Sequence, residues 1–210
     1  MALGLRATGR DGEYEIEGLG RVIRISEWRI GDVYDTIQSD ATLTAGVDYD
    51  LFLNLTNKTR IHTNLRQQSK LPAKNELIIT RIGAHIAQAY ANTVAAASDV
   101  LKMSHATLLT FKLGERLVAE GPIFTFQSGY GMTGFANETG IDVITTGTAS
   151  AAAAPELLVP QPVTPEDELN GTFSVPNNSW LNGGSLMPTI IARVCLYCFL
   201  HGFLTKPVSS

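Results

Sequence analysis

Residues 188–208 read Pro188-Thr-Ile-Ile-Ala-Arg-Val-Cys-Leu-Tyr-Cys-Phe-Leu-His-Gly-Phe-Leu-Thr-Lys-Pro-Val208, and this stretch decides the fold class. β-Branched, aromatic and other apolar residues dominate it, charge is nearly absent, and a proline lies near each end, which is typical of one long buried β-strand. A strand this apolar would promote aggregation if it formed the edge of a sheet. We therefore expect it to run through the middle of a sheet, covered on both faces by the rest of the domain or by a neighbouring subunit. The side chains expected in the core are Ile191, Leu196, Phe199 and Leu200.

Upstream of this strand, short β-forming segments are separated by turns and loops of uneven length. Strands are predicted at 13–17, 19–28, 46–55, 76–87, 107–113, 122–127, 141–146, 157–163 and 173–175, and one helix at 92–105. Because regular helices do not alternate with the strands, a parallel βαβ arrangement is excluded. The sequence predicts an all-β protein, an antiparallel jelly-roll sandwich of about nine or ten strands with one short helix.

The chain is long enough for one large β domain. With 210 residues, of which 44% are apolar, we expect one compact domain, with 1–56 forming N-terminal strands and an extension and 57–210 forming the jelly-roll barrel. Charged residues make up only 17% of the chain, against roughly 25% in typical soluble domains. This shortage of charge indicates that much of the surface faces other subunits rather than water.

The charge balance and the apolar runs limit the partners that the chain can take. Sixteen Lys and Arg are scattered among twenty Asp and Glu without a basic run, so we expect no direct nucleic-acid binding, which needs a positive surface. No segment has the pattern of a secretory signal. The apolar run at 188–208 is interrupted by Arg193 and His201 and is interpreted as a strand rather than a membrane helix.

Residue patterns that could carry chemistry are few, and each has a simpler structural interpretation. Cys195 and Cys198 lie three apart on one predicted strand, so they point to opposite faces and are interpreted as buried apolar residues rather than as zinc ligands. Gly129–Gly134 matches G-x-G-x-x-G, but no helix start follows it, so a bend between strands is favoured over a nucleotide site.

The remaining polar candidates are isolated or lie on predicted solvated faces. The glutamates of 13–17 share one face of a strand, where calcium binding is the less favoured interpretation, and Glu166-Asp167-Glu168 lies in a turn. The histidines His62, His85, His105 and His201 show no metal-ligand spacing. We therefore predict that the protein is not an enzyme, with no catalytic, cofactor-binding or metal-binding residues and no cofactor.

Four segments, taken in chain order, carry a resemblance to a known family. They are the polar 57–64 leading through Lys70-Leu-Pro72 into 76–83; Ser104 to Phe126 with Ser128-Gly-Tyr-Gly131; Leu158-Val-Pro-Gln-Pro-Val163 with Phe173-Ser-Val175; and Leu200-His-Gly-Phe-Leu-Thr-Lys-Pro-Val208 within 194–208. In this order and spacing they resemble the jelly-roll major capsid proteins of small tailless icosahedral bacteriophages, the lineage with vertical single and double jelly rolls. The chain is too short for a double barrel, so the resemblance implies a single one.

The resemblance implies a structural protein that assembles into capsomers of an icosahedral virion shell. Its expected partners are copies of itself, as a trimer or larger capsomer, other virion proteins and, where a membrane lies beneath the shell, that internal membrane. Its expected location is the virion, after synthesis in the host cytoplasm. The absence of an arginine-rich arm fits this expectation, because many such relatives enclose a membrane vesicle rather than contacting the genome directly.

Two other functions are compatible with a jelly roll. A carbohydrate-binding or receptor-binding module, such as a virion spike or a lectin, needs an exposed cluster of aromatic and amide side chains, for which the candidates are Trp180, Asn177, Asn178 and Asn182. A cupin-type enzyme needs a His-x-His pattern, which the sequence lacks.

Overall fold

The computed structural model describes residues 5–38, 46–88, 104–126, 132–134, 144–146, 156–175 and 194–206. Antiparallel β-strands make up most of these residues. The strands are β1 (Leu5–Ala7), β2 (Glu13–Ile16), β3 (Arg21–Arg24), β4 (Trp28–Gln38), β5 (Asp48–Leu51), β6 (Leu77–Gln88), β7 (Leu108–Leu113), β8 (Arg116–Pro122), β9 (Met132–Gly134), β10 (Ile144–Thr146), β11 (Glu156–Val163), β12 (Leu169–Ser174) and β13 (Val194–Thr205).

Eight of these strands form a sandwich of two four-stranded sheets. The long sheet has the order β11-β6-β13-β4, and the short sheet has the order β5-β12-β7-β8. All pairings are antiparallel. The chain passes from β4 in the long sheet to β5 in the short sheet, back to β6, and across to β7 and β8. It later passes from β11 in the long sheet to β12 in the short sheet and returns to the long sheet as β13. This is the strand arrangement of a jelly roll, and it confirms the fold class that the sequence predicts.

The strand that decided the fold class lies inside the long sheet. β13 pairs along its length with β4 on one side and with β6 on the other. Leu196, Cys198 and Leu200 point into the sandwich and are buried. Residues 188–193, which include the expected core residue Ile191, lie outside the described residues.

The expected burial of Phe199 is wrong. Successive side chains of a strand point to opposite faces, so Phe199 lies on the outer face of the long sheet when Leu200 lies on the inner face. It is only half-buried there. The sequence could not assign the inner face because both faces of this strand are rich in large apolar side chains.

The core fills the space between the two sheets. The long sheet contributes Val33, Ile79 and Ile82, among others, and the short sheet contributes Phe111 and Phe173. The rings of Phe52 and Phe111 meet edge to face with their centroids 6.2 Å apart, an arrangement that aromatic rings favour.

A three-stranded meander, β1-β2-β3, packs on the outer face of the long sheet at one end. Its Ile16 and Ile23 form a second apolar cluster with Trp28, Ile78 and Phe203 of the long sheet. The predicted boundary at residue 57 therefore falls inside the barrel, since β4 and β5 belong to its two sheets. The strand predicted at 19–28 is divided by a turn at 25–27, so β3 ends at Arg24 and a separate strand, β4, begins at Trp28 and runs to Gln38. The apolar side chains of β4 do not keep to one face, since Trp28 lies on the outer face and Val33 on the inner face.

Two local predictions differ from the structure. The strand expected at 122–127 lies earlier in the chain, as β8, which turns back directly after Gly114 to pair with β7. After Pro122 the chain forms a 3-10 turn at Ile123–Thr125, closed by the bond from the Phe126 N–H to the Ile123 carbonyl. Of the helix expected at 92–105, Ser104–His105 are helical, and 92–103 lies outside the described residues.

Candidate assembly surface

The two outer strands of the long sheet each expose a large apolar side chain. Ile30 of β4 is 82% exposed, and Leu158 of β11 is 99% exposed, with Val159 beside it at 45%. Single exposed apolar residues are common on protein surfaces. Here they lie on opposite edges of one sheet, and we call them the two apolar edges.

The exposure of Leu158 has a local cause in the β11 sequence. The register of β11 against β6 is interrupted between Glu156 and Gln161. Pro160 and Pro162 have no N–H with which to pair, and prolines in sheets are confined to edge strands and bulges. The interruption directs Leu158 away from the sandwich, while Leu157 packs against the core.

The edge at β4 is partly covered by the loop that follows β5. The Asn64 side-chain amide donates to the Asp32 carbonyl at 2.6 Å, and its oxygen accepts from the Tyr34 N–H at 3.0 Å. The Thr63 hydroxyl donates to the Tyr34 carbonyl at 3.0 Å. These bonds occupy backbone groups that a neighbouring strand would otherwise pair with. Side-by-side strand pairing is thereby blocked around Tyr34, whereas Ile30 stays exposed.

A row of charged and titratable side chains crosses the outer face of the long sheet. Asp32, His201, Arg81 and Glu156 occupy facing positions on the strands β4, β13, β6 and β11. The Asp32 carboxylate lies 2.7 Å from His201 Nδ1, and Arg81 donates to Glu156 at 2.6 Å. We call this set the ion row. The sequence gives no local signal for it, because its members lie far apart in the chain.

Next to the ion row, the outer face is aromatic. The Phe199 ring stacks on His201 and on Tyr197, with centroids 5.7 Å apart in each case. The Tyr34 ring lies 6.0 Å from that of Phe199. Burial lowers the pKa of His85, whose ring lies beside that of Tyr197. The outer face of the long sheet is therefore half-buried and aromatic rather than fully polar.

One carboxylate points into the sandwich. Asp35 is fully buried, and its Oδ2 accepts from Lys58 Nζ and from the Phe52 N–H, both at 2.6 Å. The second bond helps to hold Phe52, which has a φ of 64°, a value that is uncommon outside glycine. Burial and the charge of Asp35 raise the pKa of the Cys198 thiol. Asp35 thus anchors the loop after β5 to the core.

The cysteines and histidines singled out in the sequence are not brought together. Cys195 and Cys198 are both buried and form no disulfide, and they lie on opposite faces of β13 as predicted. The ring of His62 accepts from the Thr59 N–H at 3.1 Å, and that of His105 stacks on Phe124. Among the described residues, no three His, Cys, Asp or Glu side chains are close enough to hold a metal ion.

The acidic candidates contact their own neighbourhood. Glu13 pairs with Arg24 at 3.0 Å, and Asp167 closes its turn by accepting from the Thr164 N–H and hydroxyl at 2.7 and 2.8 Å. Within the glycine motif, only 132–134 is described, as β9 paired with β10. Trp180, Asn177, Asn178 and Asn182 lie outside the described residues.

Comparison with known proteins gives no relative from which a role could be transferred. The chain matches no protein-family model, no curated protein and no solved structure. In the part of the chain that the structure describes, no helix is both long and apolar enough to span a bilayer.

Proposed function

We propose that this protein is a structural shell protein that self-assembles into capsomers of an icosahedral virion. The jelly-roll strand order supports the proposal, because viral capsid proteins are one of the classes that use this fold. Lectins and cupins use it too, so the fold alone does not decide the function. A cupin is disfavoured because the sequence has no His-x-His pattern.

The observation that carries the proposal is the pair of apolar edges. Ile30 and Leu158 lie on β4 and β11, the two outer strands of the long sheet, so they mark its opposite edges. A contact that joins one edge to the opposite edge of the next copy is head-to-tail, and such contacts form closed rings when the rotation between copies closes. With a charged fraction of 17%, a large share of the surface is suited to burial between subunits.

The proposed partners follow from this geometry. Copies of the chain assemble into a trimer or a larger capsomer through the edges, and capsomers contact other virion proteins. The net charge of −4 favours a membrane or a protein beneath the shell over direct contact with nucleic acid. The proposed location is the virion, after synthesis in the host cytoplasm.

Charge substitution at the apolar edges tests the proposal. We expect size-exclusion chromatography with light scattering to show oligomers for the unmodified protein and mostly monomer for Ile30→Asp and Leu158→Asp, because a carboxylate would be desolvated in the contact. Leu117→Asp places the same change on the short sheet, at a side chain that is also exposed, and serves as the control. Oligomers that are unchanged in both edge variants would contradict assembly through these edges.

A further inference from the structure

The outer face of the short sheet contains a polar cleft with a volume of about 430 Å³. All four strands of the sheet contribute side chains to it. Thr172, Thr110 and Glu120 occupy facing positions on β12, β7 and β8, and Asp48 faces Ser174 across β5 and β12. These residues alternate with core residues such as Leu109, Phe111 and Phe173, so their side chains point outward. The volume lies within the usual range of small-molecule sites, roughly 300–1,000 Å³.

Most polar side chains of the cleft are not paired with other groups that line it, although the Asn170 amide donates to the Gly114 carbonyl at 3.2 Å. Among the described residues, the side chains of Asp48, Glu120, Thr110, Thr172 and Ser174 make no hydrogen bond or ion pair. Lys112 lines the same cleft, yet no carboxylate of the described residues lies within ion-pair distance of it. Three of these side chains, Thr110, Thr172 and Ser174, are half-buried. The cleft therefore offers donors and acceptors together on a rigid sheet, with their hydrogen-bonding capacity unused by the rest of the described protein.

The charge of the cleft indicates the class of ligand. Among the described lining residues, Asp48, Glu115 and Glu120 supply three carboxylates and Lys112 supplies one ammonium group, so the net charge of this set repels phosphate, sulfate and carboxylate ligands. Ionised carboxylates only accept hydrogen bonds, the Lys112 ammonium only donates them, and hydroxyl groups do both. A ligand with many neutral hydroxyl groups satisfies all three kinds of group at once.

We propose that this cleft binds a neutral saccharide. Sugar hydroxyls donate to Asp48 and Glu120, accept from Lys112, and exchange hydrogen bonds with Thr110 and Thr172. No aromatic side chain of the described residues lines the cleft, so the proposed binding rests on hydrogen bonds rather than on stacking. This activity is separate from shell assembly and gives the protein a means of attachment to a polysaccharide surface.

A glycan array tests the proposal with defined probes. The purified protein is applied to neutral oligosaccharides of glucose, galactose, mannose and N-acetylglucosamine, with sialylated and sulfated oligosaccharides on the same array. We expect binding to neutral members only. The double variant Asp48→Asn/Glu120→Gln should weaken it about tenfold or more, because a hydrogen bond to a charged group contributes that much. The control, Asp11→Asn/Glu166→Gln, makes the same chemical changes at exposed positions outside the cleft and should bind as the unmodified protein does.

Three results would overturn the saccharide site. They are no binding to any neutral saccharide by folded protein, a preference for the acidic saccharides, and equal binding by the cleft variant and its control. Circular dichroism of each sample establishes that the variants are folded. Light scattering of the same samples measures assembly separately, so loss of saccharide binding and failure to assemble are distinguishable.

Discussion

At the scale of single residues, Asp35 shows how a charge is accommodated between two apolar sheets. Its carboxylate is fully buried and is held by Lys58 and by the Phe52 N–H. A buried ion pair contributes little net stability compared with a well-packed apolar pair, but removing one partner leaves an uncompensated charge. The pair therefore fixes the position of the loop after β5 more than it adds to the overall free energy of folding.

Replacing Lys58 with methionine should lower the free energy of unfolding by about 3 kcal/mol, the lower end of the range for breaking a buried pair. We expect the lower end of this range because the Lys58 side chain is still 15% exposed to solvent. Urea denaturation measures the change, and Lys112→Met, at a lysine without an ion pair among the described residues, is the control. A loss below about 1 kcal/mol would mean that the Asp35 charge is not buried as the structure has it.

The half-buried ring of His85 should make folding stability depend on pH. Its pKa is lowered in the folded protein by burial, so the unfolded chain binds more protons below its own pKa of about 6.5. The free energy of unfolding should therefore fall as the pH drops from 7.5 to 5.5, and His85→Gln should reduce that dependence. Urea melts at the two pH values measure both slopes. Equal slopes in the variant and the unmodified protein would rule out His85 as the source.

At the scale of elements, β13 organises the long sheet. Its central position could be predicted from composition, since a strand so apolar is poorly suited to an edge. Its register with β6 is interrupted by a bulge at Thr80 of β6, since His201 faces Arg81 and the next residue, Gly202, faces Ile79. A Cβ at Gly202 would lie 1.8 Å from the Ile78 carbonyl oxygen, so the bulge requires glycine at this position.

Alanine substitutions at neighbouring positions of β13 should separate its two faces. Leu200 is fully buried in the main core, so Leu200→Ala should cost about 2–5 kcal/mol. Phe199 is half-buried on the outer face, so Phe199→Ala should cost less, although its ring is larger. Thermal and urea melts of the two variants make the comparison. A larger loss for Phe199→Ala would show that the outer face is the better packed one.

The polar cleft could in principle be found from the sequence, whereas the ion row could not. The alternation of Leu109, Phe111 and Leu113 with Thr110 and Lys112 already places the latter two on the outer face. The prediction limited the facing strand to 173–175, but β12 begins at Leu169, so the partners of Thr110 were missed. The ion row depends on the registers of three strand pairs, and a one-residue slip in any of them would separate its members.

At the scale of the whole molecule, the jelly-roll order follows from strands that alternate between two sheets along the chain. The N-terminal meander was harder to predict, because its strands are three or four residues long. Its cluster with Trp28 and Phe203 depends on contacts that are distant in sequence. Which face of β13 points into the sandwich likewise depends on contacts between residues that are distant in sequence.

The protein should not bind nucleic acid by itself. Two arginines of the N-terminal meander are paired with acids, Arg21 with Glu76 and Arg24 with Glu13 and Glu27. Non-specific binding needs several unpaired cations directed at phosphates. Fluorescence anisotropy with labelled DNA and RNA at about 150 mM salt should show no measurable binding. A micromolar affinity that weakens steeply with salt would reveal a basic face and make the genome the inner partner.

Self-assembly is the central claim, and sedimentation velocity over a range of micromolar concentrations tests it most directly, with negative-stain microscopy of the same samples. We predict a trimer or a larger species that grows with concentration, and ring-shaped capsomers or closed particles in the images. A single 22.6 kDa monomer at every concentration, with no assemblies in the images, would contradict the shell function.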